Sequence, residues 1–400
     1  MATAPASPVP FPGKRNDFLP FHRPSVTEAD ILAVSDALRA GWLTHGPVCE
    51  RFEGGFARAT NSAFAVSLSS GTAAMHLALL ALGVGPGDEV VTTPLTFCST
   101  AHVIEHLGAT PVFADVDSST LQIDPLAIER VLTSRTRALL PVHYGGHPFD
   151  MDAILAIAEH RGLPVVEDAA HAFGAAIGGR PIGSFGRVTC FSFYATKNIT
   201  TGEGGMATTD DREVADRLRS LRLHGISRDA WKRYRREGTW FYEVTEPGFK
   251  ANLTDPQAAL GLSQLARDPE MRARRTTIAE RYSESFNRMG GVVEPPVVSD
   301  GVTSAWHLYV LRLQLDALRI DRAAFIEELD ALGVGASVHF IPLHLQPHFQ
   351  KAFGLAPGDF PNAEREYRRI VSLPIYPDMT DEDVDYVIRC VDHVISSHAR

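Results

Sequence analysis

Short apolar runs alternate with amphipathic helical patterns along the first half of the chain. The apolar runs have the lengths of buried strands and lie at residues 63–68, 89–93, 110–114, 138–144, 164–167 and 188–193. Helical patterns between them cover residues 100–107, 125–132 and 151–160, and glycine or proline residues end several of these segments. This alternation of strand and helix predicts a mainly parallel sheet that helices cover on both faces.

The pattern changes after residue 252. Thr254-Asp255-Pro256 is typical of a helix start, and a long helical pattern follows to about Met289, either continuous or re-started after Pro269. Strand patterns then occur at residues 305–313 and 336–340, and helical patterns at 322–332 and 381–398. These later elements predict a smaller α+β domain.

A chain of 400 residues is longer than a usual single domain. We therefore expect an α/β protein with a large, mainly parallel sheet domain flanked by helices and a smaller C-terminal α+β domain. The expected division is an N-terminal tail at residues 1–24, the large domain at 25–254, and a connecting helix with the small domain at 255–400.

Composition narrows the class of protein. With 48 acidic and 38 basic side chains, the formal charge of −10 argues against a nucleic-acid partner. We expect no membrane partner, because no apolar stretch approaches the roughly 20 residues that span a bilayer and the N-terminus lacks a secretion signal. The four cysteines are far apart and form no C-x-x-C pair, which is typical of reduced thiols in the cytoplasm.

Three chemical features follow predicted strands. Lys197 stands between a strand pattern and the glycine-rich run Gly202-Glu203-Gly204-Gly205. Asp168 ends the apolar run that starts at Leu163, and Ser69-Ser70-Gly71-Thr72 opens a helical pattern whose free N–H groups could hold a phosphate. Because ligands of parallel sheets bind beyond the carboxyl ends of the strands, one pocket can receive all three.

An amine, an acid and an anion cradle are what pyridoxal 5'-phosphate (PLP) requires, since this aldehyde cofactor has a pyridine ring and a phosphate. Each feature also has an ordinary explanation. Lys197 could be an exposed loop lysine, Asp168 a helix cap, Gly71 part of a capped helix start, and Phe97 a core residue. The three features together favour the cofactor.

Seven short motifs occur in order along nearly the whole chain. They are GWLTHGP at 41–47, SGTAA at 70–74, PLTF at 94–97, EDAAH at 167–171, SFYATK at 192–197, GFKANLTD at 248–255 and VHFIPLH at 338–344. Together they resemble the PLP-dependent sugar aminotransferases of the DegT/DnrJ/StrS family, which have the fold-type I aminotransferase architecture.

The resemblance implies roles around the cofactor ring. Lys197 forms the Schiff base with PLP and moves protons, while Asp168 keeps the pyridine nitrogen protonated. Phe97 stacks on the ring, and His171 lies near the ring hydroxyl. The phosphate is held by the following group: Gly71, Thr72, Ala73 and Ser192.

The resemblance also implies a homodimer with shared active sites, in which Asn252 reaches the phosphate of the neighbouring subunit. The substrate is expected to contact Thr44, Lys250, His339 and Phe340.

The reaction that the resemblance implies is transfer of an amino group from glutamate to a nucleotide-linked keto sugar. The GFKANLTD segment favours amination at C4, so the expected acceptor is dTDP-4-keto-6-deoxyglucose, with a UDP-linked sugar left open. Alternatives are 3-amination of a 3-keto sugar, amination of a keto-cyclitol, or a catalytically silent PLP-binding scaffold. Intact Lys197 and Asp168 argue against the scaffold, and family dehydratases carry histidine where this chain has Lys197.

Two further clusters have alternative explanations. His339, His344 and His348 are close in sequence, but Pro342 and Pro347 break any regular helix, so we expect no metal site. The basic run at residues 228–236 contains interleaved aromatic residues. It either binds the diphosphate of the nucleotide-linked sugar or forms a solvated helical face.

Overall fold

Helices and strands alternate through most of the molecule. The computed structural model describes residues 13, 15, 17–226 and 242–400. The strands of this part of the chain are β1 (Phe64–Leu68), β2 (Glu89–Thr92), β3 (Thr110–Phe113), β4 (Thr136–Leu139), β5 (Val166–Asp168), β6 (Ala176–Ile177), β7 (Arg180–Pro181), β8 (Val188–Ser192), β9 (Gly205–Thr209), β10 (Val293–Glu294), β11 (Val302–Thr303), β12 (Tyr309–Leu313) and β13 (Ile370–Leu373). The helices are α1 (Glu28–Arg39), α2 (Pro47–Ala59), α3 (Gly71–Ala81), α4 (Ser99–His106), α5 (Pro125–Val131), α6 (Met151–Arg161), α7 (Arg212–Leu221), α8 (Asp255–Asn287), α9 (Arg322–Ala331), α10 (Pro347–Phe353), α11 (Pro361–Arg369) and α12 (Asp381–His398).

The central sheet has the strand order β3-β2-β4-β5-β8-β9-β1. Ladders join β3-β2-β4 and β5-β8-β9-β1, and the parallel bridges Leu139–Val165 and Val142–Asp168 connect β4 with β5. Strand β9 runs antiparallel to both of its neighbours, while the other pairs are parallel. The predicted mainly parallel sheet is confirmed, and β9 is a strand that the pattern did not predict.

Each face of this sheet has its own apolar core. On one face, Phe52 and Phe56 of α2 pack with Phe191 of β8 and with residues of α5, α6 and α8. On the other face, α3, α4 and α7 cover Val66 and Cys190. Because side chains alternate along a strand, the neighbouring residues Cys190 and Phe191 of β8 belong to different cores.

The C-terminal part is built on the antiparallel sheet β10-β12-β13. Helices α9 and α12 and the second half of α8 pack on it through an apolar cluster of its own. The predicted strand at 336–340 is wrong. Ser337 forms one bridge with Ser372, and the chain then turns so that His339 and Phe340 face a pocket.

Helix α8 runs without a break past Pro269. A proline inside a helix costs about 3 kcal/mol locally, so the packing on both sides must offset that cost. Before the proline, Gln264 donates to Asp30 of α1 at 3.1 Å; after it, Arg275 donates to the Ile375 carbonyl at 2.7 Å. Within the described ranges, no helix is both long and apolar enough to cross a bilayer.

The end of the expected N-terminal tail packs on the rest of the chain. Leu19 is buried, and its N–H donates to the Gly333 carbonyl at 2.9 Å. Phe21 stacks on the ring of His339 with a centroid distance of 5.2 Å. This segment therefore contributes to the wall of the pocket described below.

Asp255, the first residue of α8, caps a different helix. Its carboxylate is buried and accepts from Val48 N at 3.1 Å and from Cys49 N at 3.0 Å, in the first turn of α2. These N–H groups have no partner within α2, because the first turn of a helix lacks preceding carbonyls. The contact fixes the start of α2 against the start of α8.

We predict that Asp255→Ala lowers the free energy of unfolding by about 1–3 kcal/mol, because two buried N–H groups lose their acceptor. Urea unfolding followed by circular dichroism measures the change. The control is Asp36→Ala, whose exposed pair with Arg39 should contribute less than about 1 kcal/mol. Equal shifts in the two variants would contradict the capping role.

Candidate active site

A cavity of about 620 Å³ opens at the carboxyl ends of β4, β5 and β8. This is the edge at which a parallel sheet places its ligands. The cavity brings together nine of the residues that the sequence predicted for the site: Gly71, Thr72, Phe97, Asp168, His171, Ser192, Lys197, His339 and Phe340.

Lys197 lies on the loop that follows β8, where its N–H donates to the Tyr194 carbonyl at 2.9 Å. The side chain lines the cavity and is half-buried. Burial disfavours the ammonium form and lowers the pKa of Lys197 to about 8, while the charge of Asp168 opposes this change. A substantial fraction of this amine is therefore neutral, and nucleophilic, near pH 8.

Asp168 is the last residue of β5 and is only 4% exposed. Its Oδ2 accepts from the Thr100 hydroxyl at 2.8 Å, and its Oδ1 accepts from Ala170 N at 3.1 Å. Burial raises the pKa of Asp168, and these two hydrogen bonds oppose the rise. Among the described residues, no basic side chain forms an ion pair with this carboxylate, so a protonated ring nitrogen would supply the cation that it lacks.

The end of the cavity that is formed by the start of α3 is suited to an anion. Ser70 caps α3 by accepting from Ala73 N at 3.0 Å, which leaves the N–H groups of Gly71 and Thr72 directed out of the helix start. A Cβ on Gly71 would lie 2.9 Å from the Ser192 Cβ, so glycine permits the close approach of α3 to β8. The Ser192 hydroxyl lines the same end of the cavity. These donors fit a phosphate.

Phe97 supplies a flat apolar face. Its side chain is 58% exposed although it lines the cavity, and its ring lies 5.9 Å from that of Phe340. A core phenylalanine would be covered by protein atoms. The exposed ring is instead available to stack on a planar ligand.

Two histidines with mutually tilted rings line the cavity together with Lys197. His171 and His307 have ring centroids 4.3 Å apart, and burial lowers the pKa of both well below the usual value. Gly145 N donates to Nδ1 of His171 at 3.2 Å, which places the proton of the neutral ring on Nε2. His171 can therefore donate one hydrogen bond to an oxygen of the ligand.

Four of the predicted site residues lie away from the lining of this cavity. The N–H of Ala73 is used by the Ser70 cap. Thr44 is exposed, and its carbonyl accepts from Asp255 N at 3.0 Å. Lys250 is exposed and donates to the side chain of Asn252.

The structure adds residues that the sequence did not predict. Thr100 of α4 holds Asp168 and is linked by a hydroxyl contact of 2.9 Å to Thr96, which lies before the start of that helix. Phe21, His22 and His307 also line the cavity. They come from distant parts of the chain, and no local pattern marked them.

The three clustered histidines have three different partners. His339 Nδ1 lies 2.9 Å from Ser372 Oγ, His344 Nε2 lies 3.7 Å from Glu364, and His348 Nε2 lies 2.8 Å from Glu105. The basic run at 228–236 lies outside the described residues.

We predict that cofactor-free Lys197 reacts with an amine-directed reagent with a half-maximal rate near pH 8, because only the neutral amine is nucleophilic. Peptide mass spectrometry after timed labelling measures the rate at each pH.

Replacing Asp168 with Asn should move this midpoint to lower pH, because the negative charge that raises the pKa of Lys197 is lost. Asp36→Asn on the exposed side of α1 serves as the control and should leave the midpoint unchanged. A midpoint that stays or rises in Asp168→Asn would contradict this electrostatic coupling.

Comparison with known proteins agrees with this geometry. The model of the DegT/DnrJ/EryC1/StrS aminotransferase family matches residues 24–392. The spore coat polysaccharide biosynthesis protein SpsC of Bacillus subtilis is 52% identical over 383 residues, which cover 96% of this chain and 98% of SpsC.

Solved structures show the same likeness. Spr1654 from Streptococcus pneumoniae, which carries the name of a sugar aminotransferase, was solved in a pyridoxamine phosphate (PMP) form and in a PLP form. The PMP form has a TM-score of 0.89 and 35% identity, over 95% of this chain and 99% of that one; the PLP form has a TM-score of 0.88 and 34% identity, over 95% and 99%. DesV from S. venezuelae has a TM-score of 0.83 and 36% identity, over 92% of this chain and 94% of its own.

These comparisons confirm the fold class, the PLP cofactor and the enzyme class that the sequence predicted. The chain belongs to the DegT/DnrJ/EryC1/StrS aminotransferase family and is a PLP-dependent sugar aminotransferase.

Proposed function

We propose that this enzyme transfers the amino group of glutamate to C4 of dTDP-4-keto-6-deoxyglucose and so forms the 4-amino-4,6-dideoxy sugar. The observation that carries this proposal is the single cavity that combines Lys197 and Asp168 with the anion site at the start of α3. A volume of about 620 Å³ is in the usual range for ligand pockets, and it has to hold both the cofactor and a sugar ring.

The side chains that face the cavity suit a sugar. Burial lowers the pKa of His22 and of His339 to about 4, and it lowers those of His171 and His307 as well. All four are neutral near pH 7. Neutral imidazoles both donate and accept hydrogen bonds, which matches the hydroxyl groups of a sugar.

The diphosphate of the nucleotide-linked sugar has to lie outside the cavity. Lys197 is the one lysine or arginine among the described residues that line the cavity, and the cofactor uses it. We therefore place the keto sugar inside and the nucleotide at the mouth, where the exposed Lys250 is the proposed contact. The amination at C4 rests on the sequence of the GFKANLTD segment.

Bound PLP supplies an electron sink for the carbon that loses its proton. Lys197 would hold the cofactor and, as a free amine, would take up and release a proton during the transfer; a pKa near 8 suits this exchange at neutral pH. Asp168 would orient the ring nitrogen and keep it protonated, and Thr100 fixes the carboxylate. Phe97 excludes water from one face of the ring.

A polysaccharide precursor is a suitable product. SpsC is named for spore coat polysaccharide biosynthesis, and this chain is 52% identical to it over almost the full length of both. We propose that the amino sugar formed here is likewise built into a polysaccharide in the cytoplasmic stage of its synthesis.

We predict that glutamate bleaches the visible Schiff-base band of the PLP-loaded enzyme and that dTDP-4-keto-6-deoxyglucose restores it. Lys197→Ala is the control and should lack the band. The same absorbance experiment with a UDP-linked 4-keto sugar, a 3-keto sugar and a keto-cyclitol ranks the other acceptors. If the dTDP sugar fails to restore the band while another acceptor restores it, this acceptor is rejected. If the PLP-loaded wild-type enzyme shows no band, the proposed site is rejected.

We further propose that two subunits share each active site. Thr44, Lys250 and Asn252 lie on one surface outside the cavity of their own chain, near Asp255. Leu43 is 57% exposed and Phe249 is 39% exposed on the same segments, so this surface is apolar enough for burial against a second copy.

We predict that Lys197→Ala and Asn252→Ala chains, each inactive alone, regain about a quarter of the wild-type activity when they are unfolded and refolded together in equal amounts. Half of the dimers are then mixed, and each mixed dimer has one site with both residues intact. Initial rates with glutamate measure the recovery. No recovery would contradict sharing through Asn252. Two Lys197→Ala samples mixed together are the control and should stay inactive.

A further inference from the structure

Outside the active-site cavity, the fold brings two histidines and a glutamate together from distant positions. His102 and Glu105 lie three residues apart on one face of α4, and His348 is the second residue of α10. One ligand atom from each of the three lies within 4.8 Å of the others. No local pattern pairs these residues, because more than 240 positions separate His348 from Glu105.

Packing holds these side chains in place. The ring of Phe349 stacks on that of His102 at 5.5 Å and 12°, and Phe349 is itself 1% exposed. Glu105 Oε2 lies 2.8 Å from His348 Nε2. Its other oxygen, Oε1, is buried and has no hydrogen-bond partner among the described residues. A surface ion pair alone leaves that oxygen unsatisfied, which costs free energy.

We propose that His102, Glu105 and His348 bind a zinc ion. Two imidazoles and one carboxylate are a common ligand set for Zn²⁺, whereas Mg²⁺ and Ca²⁺ prefer oxygen ligands. Three protein ligands leave a fourth position for water.

The zinc site has a structural role. None of its three ligands lines the active-site cavity among the described residues, so the ion does not meet the substrate. Helix α4 carries Thr100, which holds Asp168. Helix α10 follows the segment that carries His339 and Phe340. A zinc ion between the two helices therefore links α4, which carries Thr100, to α10 and the preceding segment, which carries His339 and Phe340.

Isothermal titration of the tag-free, PLP-loaded enzyme with zinc chloride tests this site. The wild-type protein should bind about one zinc per chain at this site, and His102→Ala and His348→Ala should each weaken that binding by at least about tenfold. His160→Ala removes an exposed histidine at the end of α6 and is the matched control, which should bind as the wild type does. Magnesium chloride should give no binding at this site.

Thermal unfolding gives an independent measurement. Zinc should raise the melting temperature of the wild type and of His160→Ala but not that of His102→Ala, because only an intact site stabilises the folded state by binding. Absence of stoichiometric binding in the wild type, or equal affinity in His102→Ala, would overturn the proposal and leave an ordinary ion pair between Glu105 and His348. Both outcomes are independent of the acceptor sugar.

Discussion

The constraint on which the active site depends is a buried carboxylate that forms no ion pair with any described residue. Asp168 lies at the end of a central strand, where burial raises its pKa; two hydrogen bonds and the nearby charge of Lys197 oppose that rise. Such a group is costly unless a cation meets it. In the proposed mechanism the protonated ring of bound PLP would supply this cation, so the burial that destabilises the empty site would favour the loaded one. Thr100 keeps the acid aimed at that position.

The rest of the cavity is arranged around this acid. Lys197 comes from the loop after the neighbouring strand β8, and the start of α3 provides the anion site. The C-terminal part adds His307 and His339, whose buried rings are neutral near pH 7. In the proposed mechanism the large part of the molecule would hold the cofactor, and the second part and the N-terminal segment would supply uncharged hydrogen-bonding groups for the substrate.

The local pattern of apolar and polar residues predicted helices and strands well wherever one face of the element is buried against a neighbour. It placed the final helix at Asp381–His398 and five of the six predicted strands of the first half within two residues of their true ends. The sixth, predicted at 138–144, is β4 at Thr136–Leu139 and ends five residues earlier. It failed where distant contacts decide. The segment 336–340 has the composition of a strand, yet it finds only one bridge and turns towards the cavity. For helix α8 the pattern left both a continuous helix and a re-start after Pro269 open, and the contacts to α1 and to Ile375 hold both halves in one helix.

The cofactor and the order of the elements follow from the amino-acid sequence, because each chemical motif follows a strand and parallel strands end at one edge of a sheet. The distant side chains that complete the site follow instead from the packing of the whole fold. Thr100 meets Asp168, His22 enters the cavity, and Glu105 meets His348 through packing between elements far apart in the chain. Such contacts depend on how whole helices and sheets pack, and no local pattern of apolar and polar residues records that.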